Sequence, residues 1–192
     1  VQHELAIRID DCEPKAIITA SSGIEIDRLI AYKPLVDEAI ELAHHKPEKV
    51  GVFNRTLGAR VTFKKHDVDY DALVYGSEET PCIPVNSTHP LYILYTSGTT
   101  GKPKGIVRDT GGYATALKFS MQHIYDAKEG DVFWAASDVG WVVGHSYIVY
   151  GPLINRNTTV LFEGKPIRTP DASTFWRVIA EHKVNIMFTA PT

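Results

Sequence analysis

Ten consecutive residues, Thr96 to Gly105, hold three Thr, one Ser, three Gly, two Lys and one Pro. Glycines let a backbone approach an anion closely. Hydroxyls and backbone N–H groups donate to phosphate oxygens, and ammonium groups supply compensating charge. The run has the chemistry of a phosphate loop, and it follows directly on an apolar β-type segment, Leu91 to Tyr95. Two familiar versions fail on spacing. A Walker loop needs four residues between its glycines and a hydroxyl residue after the lysine. Here two residues separate Gly98 from Gly101, and Pro103 follows Lys102. A dinucleotide fingerprint needs Gly-x-Gly-x-x-Gly, which Gly98, Gly101 and Gly105 do not reproduce. A solvated polar turn has the same composition, so the residues alone leave two readings.

Other constellations are weaker. Cys12 and Cys82 belong to no Cys-x-x-Cys or Cys/His cluster, which argues against a disulfide framework or a zinc site. Asp67, Asp69, Asp71 and Glu78 have the spacing of a calcium loop, but Ala72 stands where its sharp turn needs Gly. A solvated acidic surface or a short helix is the better expectation there. His145 has no carboxylate or Cys in its own motif and reads as a packed or hydrogen-bonded histidine. No residue is assigned as a metal ligand.

The elements that must position the loop alternate. Strands are predicted over Ala16–Ala20, Lys49–Phe53, Leu91–Tyr95, Val132–Ala136, Thr158–Phe162 and Val184–Phe188. One helix opens at Pro34 with Val36, Ala39, Ile40 and Ala43 on one face. A second follows Gly111-Gly112, with Tyr113, Leu117, Met121 and Ile124 on its face. A third is capped by Ser173 and carries Phe175, Trp176 and Ile179. Such alternation predicts an α/β layered fold with a mostly parallel sheet, in which ligands sit at the carboxyl ends of strands. The 192 residues are 44% apolar with a net charge of −3. That composition suits a globular domain and leaves no basic footprint for nucleic acid. The longest apolar stretch, Trp141 to Leu153, is broken by Gly144, His145 and Ser146 and is too short for a membrane span. The chain opens on Val1 and stops at Thr192, directly after the apolar run Asn185 to Thr189. The expectation is a piece of a longer protein, cut through a domain.

Tyr95-Thr-Ser-Gly-Thr-Thr-Gly-Lys-Pro-Lys-Gly105 resembles the phosphate-binding signature of the adenylate-forming enzymes, the acyl-CoA synthetase superfamily, at every position. Ser137 to Leu153, with Trp141-Val-Val-Gly-His145 inside it, is similar to the next motif in the acetyl- and propionyl-CoA synthetase branch. Thr158 to Pro166 and the terminal Phe188-Thr-Ala-Pro-Thr192 are similar as well. Arg108-Asp-Thr-Gly-Gly-Tyr113 resembles the propionyl-type, short-chain members.

The resemblance implies that residues 1–192 are part of the large N-terminal adenylation domain, without the small C-terminal domain. It implies an enzyme that joins a short-chain carboxylate, propionate ahead of acetate, to coenzyme A through an acyl-adenylate, releasing AMP and pyrophosphate. ATP, Mg²⁺ and coenzyme A are the implied cofactors, and the partners are small molecules. The 192 residues alone are expected to bind nucleotide weakly and not to turn over. Thr96, Ser97, Gly98, Thr99, Thr100, Gly101 and Lys104 would hold the ATP phosphates, with Thr96 and Lys104 in catalytic roles and Lys102 a solvated charge. Trp141, Val142 and Val143 would line the acyl pocket. Acetate-type relatives carry Thr at the position of Val143, so this pocket is more apolar. Glu25, Ile26, Asp27 and Arg28 fall where relatives place a basic segment for coenzyme A. Arg28 keeps the cation, and Glu25 replaces an Arg. The mitochondrial matrix is the favoured compartment, with a bacterial cytoplasm the alternative. Two rival readings are a non-catalytic nucleotide-binding piece and an adenylating domain that loads a carrier protein.

Overall fold

Helix and strand alternate along the chain, as the periodicities predict, in a computed structural model that describes residues 1–58, 60–96, 103–167 and 170–190. The chain divides into two units, Val1–Ile83 with Tyr95–Gly105 and Pro84–Leu94 with Ile106–Thr192.

In the first unit, α1 (Gln2–Cys12) leads into β1 (Ala16–Ala20), followed by a hairpin of β2 (Ser22–Glu25) and β3 (Arg28–Ala31). Then come α2 (Tyr32–Leu42), β4 (Lys49–Phe53), β5 (Asp67–Asp69) and the short α3 (Tyr70–Val74). The sheet order is β1-β4-β5, and both pairings are parallel. Val50 and Val52 on β4 pack beneath Ala6 and Ile9 of α1 and Val36, Ala39 and Ile40 of α2. Each fully buried Val or Ile side chain there contributes about 1.5–3 kcal/mol. Pro34 does not open α2: the helix begins two residues earlier, and its apolar face is the predicted one. Lys46 closes the other end, its Nζ donating to the carbonyls of Ile40, Glu41 and Ala43 at 2.5, 3.1 and 2.5 Å. A cation there satisfies orphan carbonyls and meets the negative end of the helix dipole.

The strand β6 (Pro90–Thr96) pairs with β7 (Lys104–Asp109), and the phosphate-loop sequence joins them. In the second unit α4 (Thr110–His123) precedes β8 (Val132–Ala135). A helical run follows, made of α5 (Val142–Gly144), a π-helical segment His145–Tyr150 and α6 (Gly151–Ile154). The unit closes with β9 (Thr158–Thr159), α7 (Thr174–His182) and β10 (Ile186–Phe188). Its sheet order is β10-β8-β9, again parallel. Its core is Met121, Ala127, Phe133, Ala135 and Ile148.

Several expectations are corrected. The strand predicted over Thr158–Phe162 is a two-residue pairing, and that over Val184–Phe188 starts at Ile186. Gly111 and Gly112 lie inside the first turn of α4. Ile124 lies past the end of that helix and is 70% exposed. Trp176 on α7 is 71% exposed, because the buried positions of that helix are Thr174 and Val178, four apart.

The acidic run forms a short helix, α3, one of the two expected alternatives, and leaves Asp71 and Glu78 exposed; Asp67 alone departs from the expectation of a solvated acid. The Asp67 side chain is 0% exposed and pairs with Lys33 Nζ at 2.8 Å; the Lys33 side chain, 2% exposed, also meets Asp37 at 2.5 Å. Lys64 donates its backbone N–H to Asp67 at 2.6 Å, and Asp69 caps α3 by accepting from Ala72 N at 3.0 Å. Asp37, His66 and Asp67 bring ligand atoms together, but the Lys33 ammonium already sits against both carboxylates. Removing one partner of such a pair strands a buried charge. K33A is expected to lower unfolding free energy by about 3–5 kcal/mol, measured by denaturant titration.

In the second unit, Tyr125 faces Phe133, Tyr147 and Phe188 at ring centroids 5.2, 5.1 and 5.6 Å. Burial, then Tyr147, pushes its hydroxyl from 10.0 up to about 12. The folded state thus holds this proton more tightly than the unfolded state does. Its contribution is whole below pH 10.0 and is lost as pH rises toward about 12. Alkaline titration should show tyrosinate absorbance and loss of fold together in that window. Y125F should move unfolding to higher pH.

Candidate active site

Thr96 ends β6 and Lys104 begins β7, so the two described flanks of the loop sit at the end of one strand and the start of its neighbour. Ser97, Gly98, Thr99, Thr100, Gly101 and Lys102 lie outside the described residues. Tyr95, which opens the signature, is held from α1: its hydroxyl donates to the Asp11 carboxylate, and the Arg8 guanidinium lies 6.0 Å from its ring centroid. The Asp11 bond, with burial behind it, raises the Tyr95 pKa, so its hydroxyl stays a donor at any physiological pH. Lys104 is exposed, a cation in water at the loop's exit.

Glu25 to Arg28 form the turn of the β2–β3 hairpin, with Glu25 opposite Arg28. Ile26 takes φ 60. A single left-handed residue at the first corner of a two-residue turn is a glycine position, and a β-branched side chain is strained there. Arg28 and Asp27 are exposed, so the one cation retained at this turn points into solvent. Behind the hairpin, Ser22 Oγ donates to Leu57 O at 2.6 Å and Arg55 N donates to Ser21 Oγ at 2.9 Å. These bonds join the carboxyl ends of β1 and β4.

The third group lies in the second unit. Asp138 Oδ1 accepts from Gly140 N at 2.7 Å, and Asp138 O accepts from Trp141 N at 3.2 Å, closing a tight turn. Gly144 packs on that turn: a Cβ there would overlap the Asp138 carbonyl oxygen and Val139 Cα. Trp141 is thereby held 64% exposed, with Val142 and Val143 beside it at the start of the helix. His145 returns a bond to the same place, its Nδ1 2.9 Å from Trp141 O. It is a hydrogen-bonded, ring-packed residue, as the motif predicted. Beneath it Tyr92 stacks against Tyr150, and the Tyr113 hydroxyl lies 2.8 Å from Ser146 Oγ. Burial raises the Tyr113 pKa against the opposing pull of the Ser146 bond.

The Arg108–Tyr113 signature is architectural. Asp109 caps α4 by accepting from Gly112 N at 2.9 Å, Thr110 Oγ1 donates to His89 O at 2.8 Å, and Gly111 N donates to Ser87 O at 2.7 Å. A Cβ on Gly111 would lie 2.5 Å from that of Ser87. Arg108 lies over the Tyr113 ring at 5.7 Å.

The AMP-binding enzyme family model matches residues 1–192. The chain belongs to the AMP-binding enzyme family. Acyl-CoA synthetase short-chain family member 3, mitochondrial, of Bos taurus is 57% identical over 190 residues, which cover 98% of this chain and 28% of the bovine protein. An uncharacterized protein of Pseudomonas aeruginosa is 56% identical over 190 residues, covering 99% of this chain and 30% of that protein. The acetyl-coenzyme A synthetase of Methylobacterium radiotolerans is 48% identical over 190 residues, 98% of this chain and 29% of its own length. The chain therefore spans under a third of each of these relatives. Among the described residues, no helix is long and apolar enough to cross a membrane.

Within this family member, sequence spacing points to the loop, to Trp141 and to the hairpin turn. It does not point to Asp11 and Arg8, which hold Tyr95 from 84 residues away in the case of Asp11, or to Tyr92 and Tyr150. No signal in their own neighbourhoods marks them. Gly144 is testable directly. G144A forces the Asp138–Trp141 turn apart and is expected to cost about 1–3 kcal/mol, read as a lowered unfolding midpoint.

Proposed function

We propose that the protein to which these residues belong is a short-chain acyl-CoA synthetase that favours propionate. The observation that carries the reading is the Tyr95–Gly105 signature, complete at every position, with Thr96 ending β6 and Lys104 opening β7. The names of the bovine and Methylobacterium relatives support it. Residues 1–192 are read as part of the N-terminal adenylation domain.

In the first step a carboxylate oxygen attacks the α-phosphorus of ATP, delivered as its Mg²⁺ complex. The new P–O bond forms as the α–β anhydride breaks, and pyrophosphate leaves. In the second, the coenzyme A sulfur attacks the acyl carbonyl, AMP departs and the thiol proton passes to water. No protein nucleophile is required, so the chain contributes position and charge. Thr96, Ser97, Thr99, Thr100 and Lys104 hold the β- and γ-phosphates, with Gly98 and Gly101 allowing close backbone approach. Trp141, Val142 and Val143 face the acyl group, and the apolar Val143 favours one more methylene than acetate has. The turn Glu25-Ile-Asp-Arg28 meets the 3′-phosphate of coenzyme A through Arg28. The mitochondrial matrix is the favoured location, in keeping with the word mitochondrial in the bovine relative's name, and a bacterial cytoplasm is the alternative, in keeping with the two bacterial relatives. The Trp-Val-Val-Gly-His sequence of the short-chain branch favours free coenzyme A over a carrier protein.

The test is pyrophosphate exchange and acyl-CoA formation by the full-length protein with acetate, propionate and butyrate. Propionate is expected to give the highest kcat/KM. K104A should lower kcat by about a hundredfold, the scale of losing one preorganised charge contact. Exchange that needs no carboxylate, or K104A with unchanged kcat, would sink the reading.

A further inference from the structure

An α-helix rotates about 100° per residue, so residues five apart differ by about 140° and face different neighbours. His145 and Tyr150 are five apart, yet one ring touches both. Tyr92 lies 5.1 Å from His145 and 5.9 Å from Tyr150, centroid to centroid, at interplanar angles of 31° and 12°. The π-helical turn over His145–Tyr150 makes this possible, because its i→i+5 bonding returns the fifth residue to nearly the same face. Gly151 N donates to Ser146 O in that pattern. The wide turn is enclosed on its other side by Tyr113, which meets Tyr92 and Tyr150 edge-on at 5.6 and 5.7 Å and bonds Ser146. Aromatic pairs of this kind are favourable beyond their buried area. A π turn has poorer backbone hydrogen bonds than an α turn, so outside contacts must hold it.

We propose that Tyr92, with Tyr113 and Tyr150, is a register lock: it keeps the helix in its π turn and so positions His145 and, through the His145–Trp141 bond, the mouth of the acyl pocket. The proposal rests on the acyl-CoA synthetase reading for its consequence, which is selection of acyl chain length. It makes Tyr92 a positioning residue that touches no substrate. Collapse of the π turn to an α turn rotates His145 away from Tyr92 and releases the 2.9 Å contact to Trp141 O. Trp141 then loses its fixed orientation. The ring carries the effect: Tyr92 Oη is buried beside the Tyr113 hydroxyl and makes no hydrogen bond of ordinary geometry among the described residues.

The experiment uses the full-length protein with Y92L and Y92F. For Y92L, the ratio of propionate to acetate kcat/KM is expected to change at least fivefold, while KM for ATP moves less than twofold. Backbone hydrogen exchange should speed up in peptides covering 141–154. Y92F, which keeps the ring, should behave as wild type in both measurements. Y92L with an unchanged selectivity ratio overturns the proposal, as does Y92L with unchanged exchange over 141–154. A wild-type protein inactive on all three acids refutes the functional reading instead, and the lock is then decided by hydrogen exchange alone.

Discussion

One residue too many in a helical turn is the constraint around which the second unit is organised. Between His145 and Tyr150 the chain carries the wide π spacing, and the surrounding residues are chosen to accept it. Gly151 has no side chain where a Cβ would come within 2.7 Å of Ser146 O and 3.3 Å of Met121 Sδ. Ser146 and Ile148 are buried, the first bonding Tyr113 and the second completing the core with Met121 and Phe133. Thr159 Oγ1 on β9 donates to Ile148 O at 2.7 Å, so the widened turn also ties down the sheet's edge. Where a helix stores an unfavourable turn, a functional site is the usual reason. Here the turn lies four residues from Trp141.

The fold class was legible because it rests on period. β1 and β4 read as short apolar runs bounded by breakers, and the stripe Val36, Ala39, Ile40, Ala43 marks the inner face of α2. The failures have local causes. Trp176 is apolar and lies in a helical pattern, but Thr174 takes the buried position by bonding Asp171 O at 2.9 Å. A polar residue that satisfies its hydroxyl internally leaves no mark in a hydrophobic period. Asp67 reads as a surface acid because its partner, Lys33, is far away in sequence and is itself a residue type that is rarely buried. The candidate site is visible in the sequence only where residues of one chemistry are consecutive. The loop and the Trp141 motif are of that kind. The supports, Asp11 to Tyr95 and Tyr92 to Tyr150, are long-range side-chain contacts, and an i,i+5 pairing matches neither the helix nor the strand period.

Residues that mark a subfamily need not touch its substrate. Arg108 to Tyr113 resemble the short-chain members, yet every described contact they make is internal: a cap, a close backbone approach at Ser87 and a guanidinium over a ring. They fasten the start of α4, and α4 in turn supplies Tyr113 to the aromatic cluster. Diagnostic value and architectural value coincide there.

The burial of Lys33 has a chemical side as well as an energetic one. Its amine is held between Asp37 and Asp67 and excluded from solvent. A nitrogen nucleophile needs an approach path, and this one has none. Exposed lysines stand open to stray electrophiles, whereas Lys33 becomes reachable only when α2 parts from β5. Covalent labelling of Lys33 would therefore report the parting of this helix from this strand.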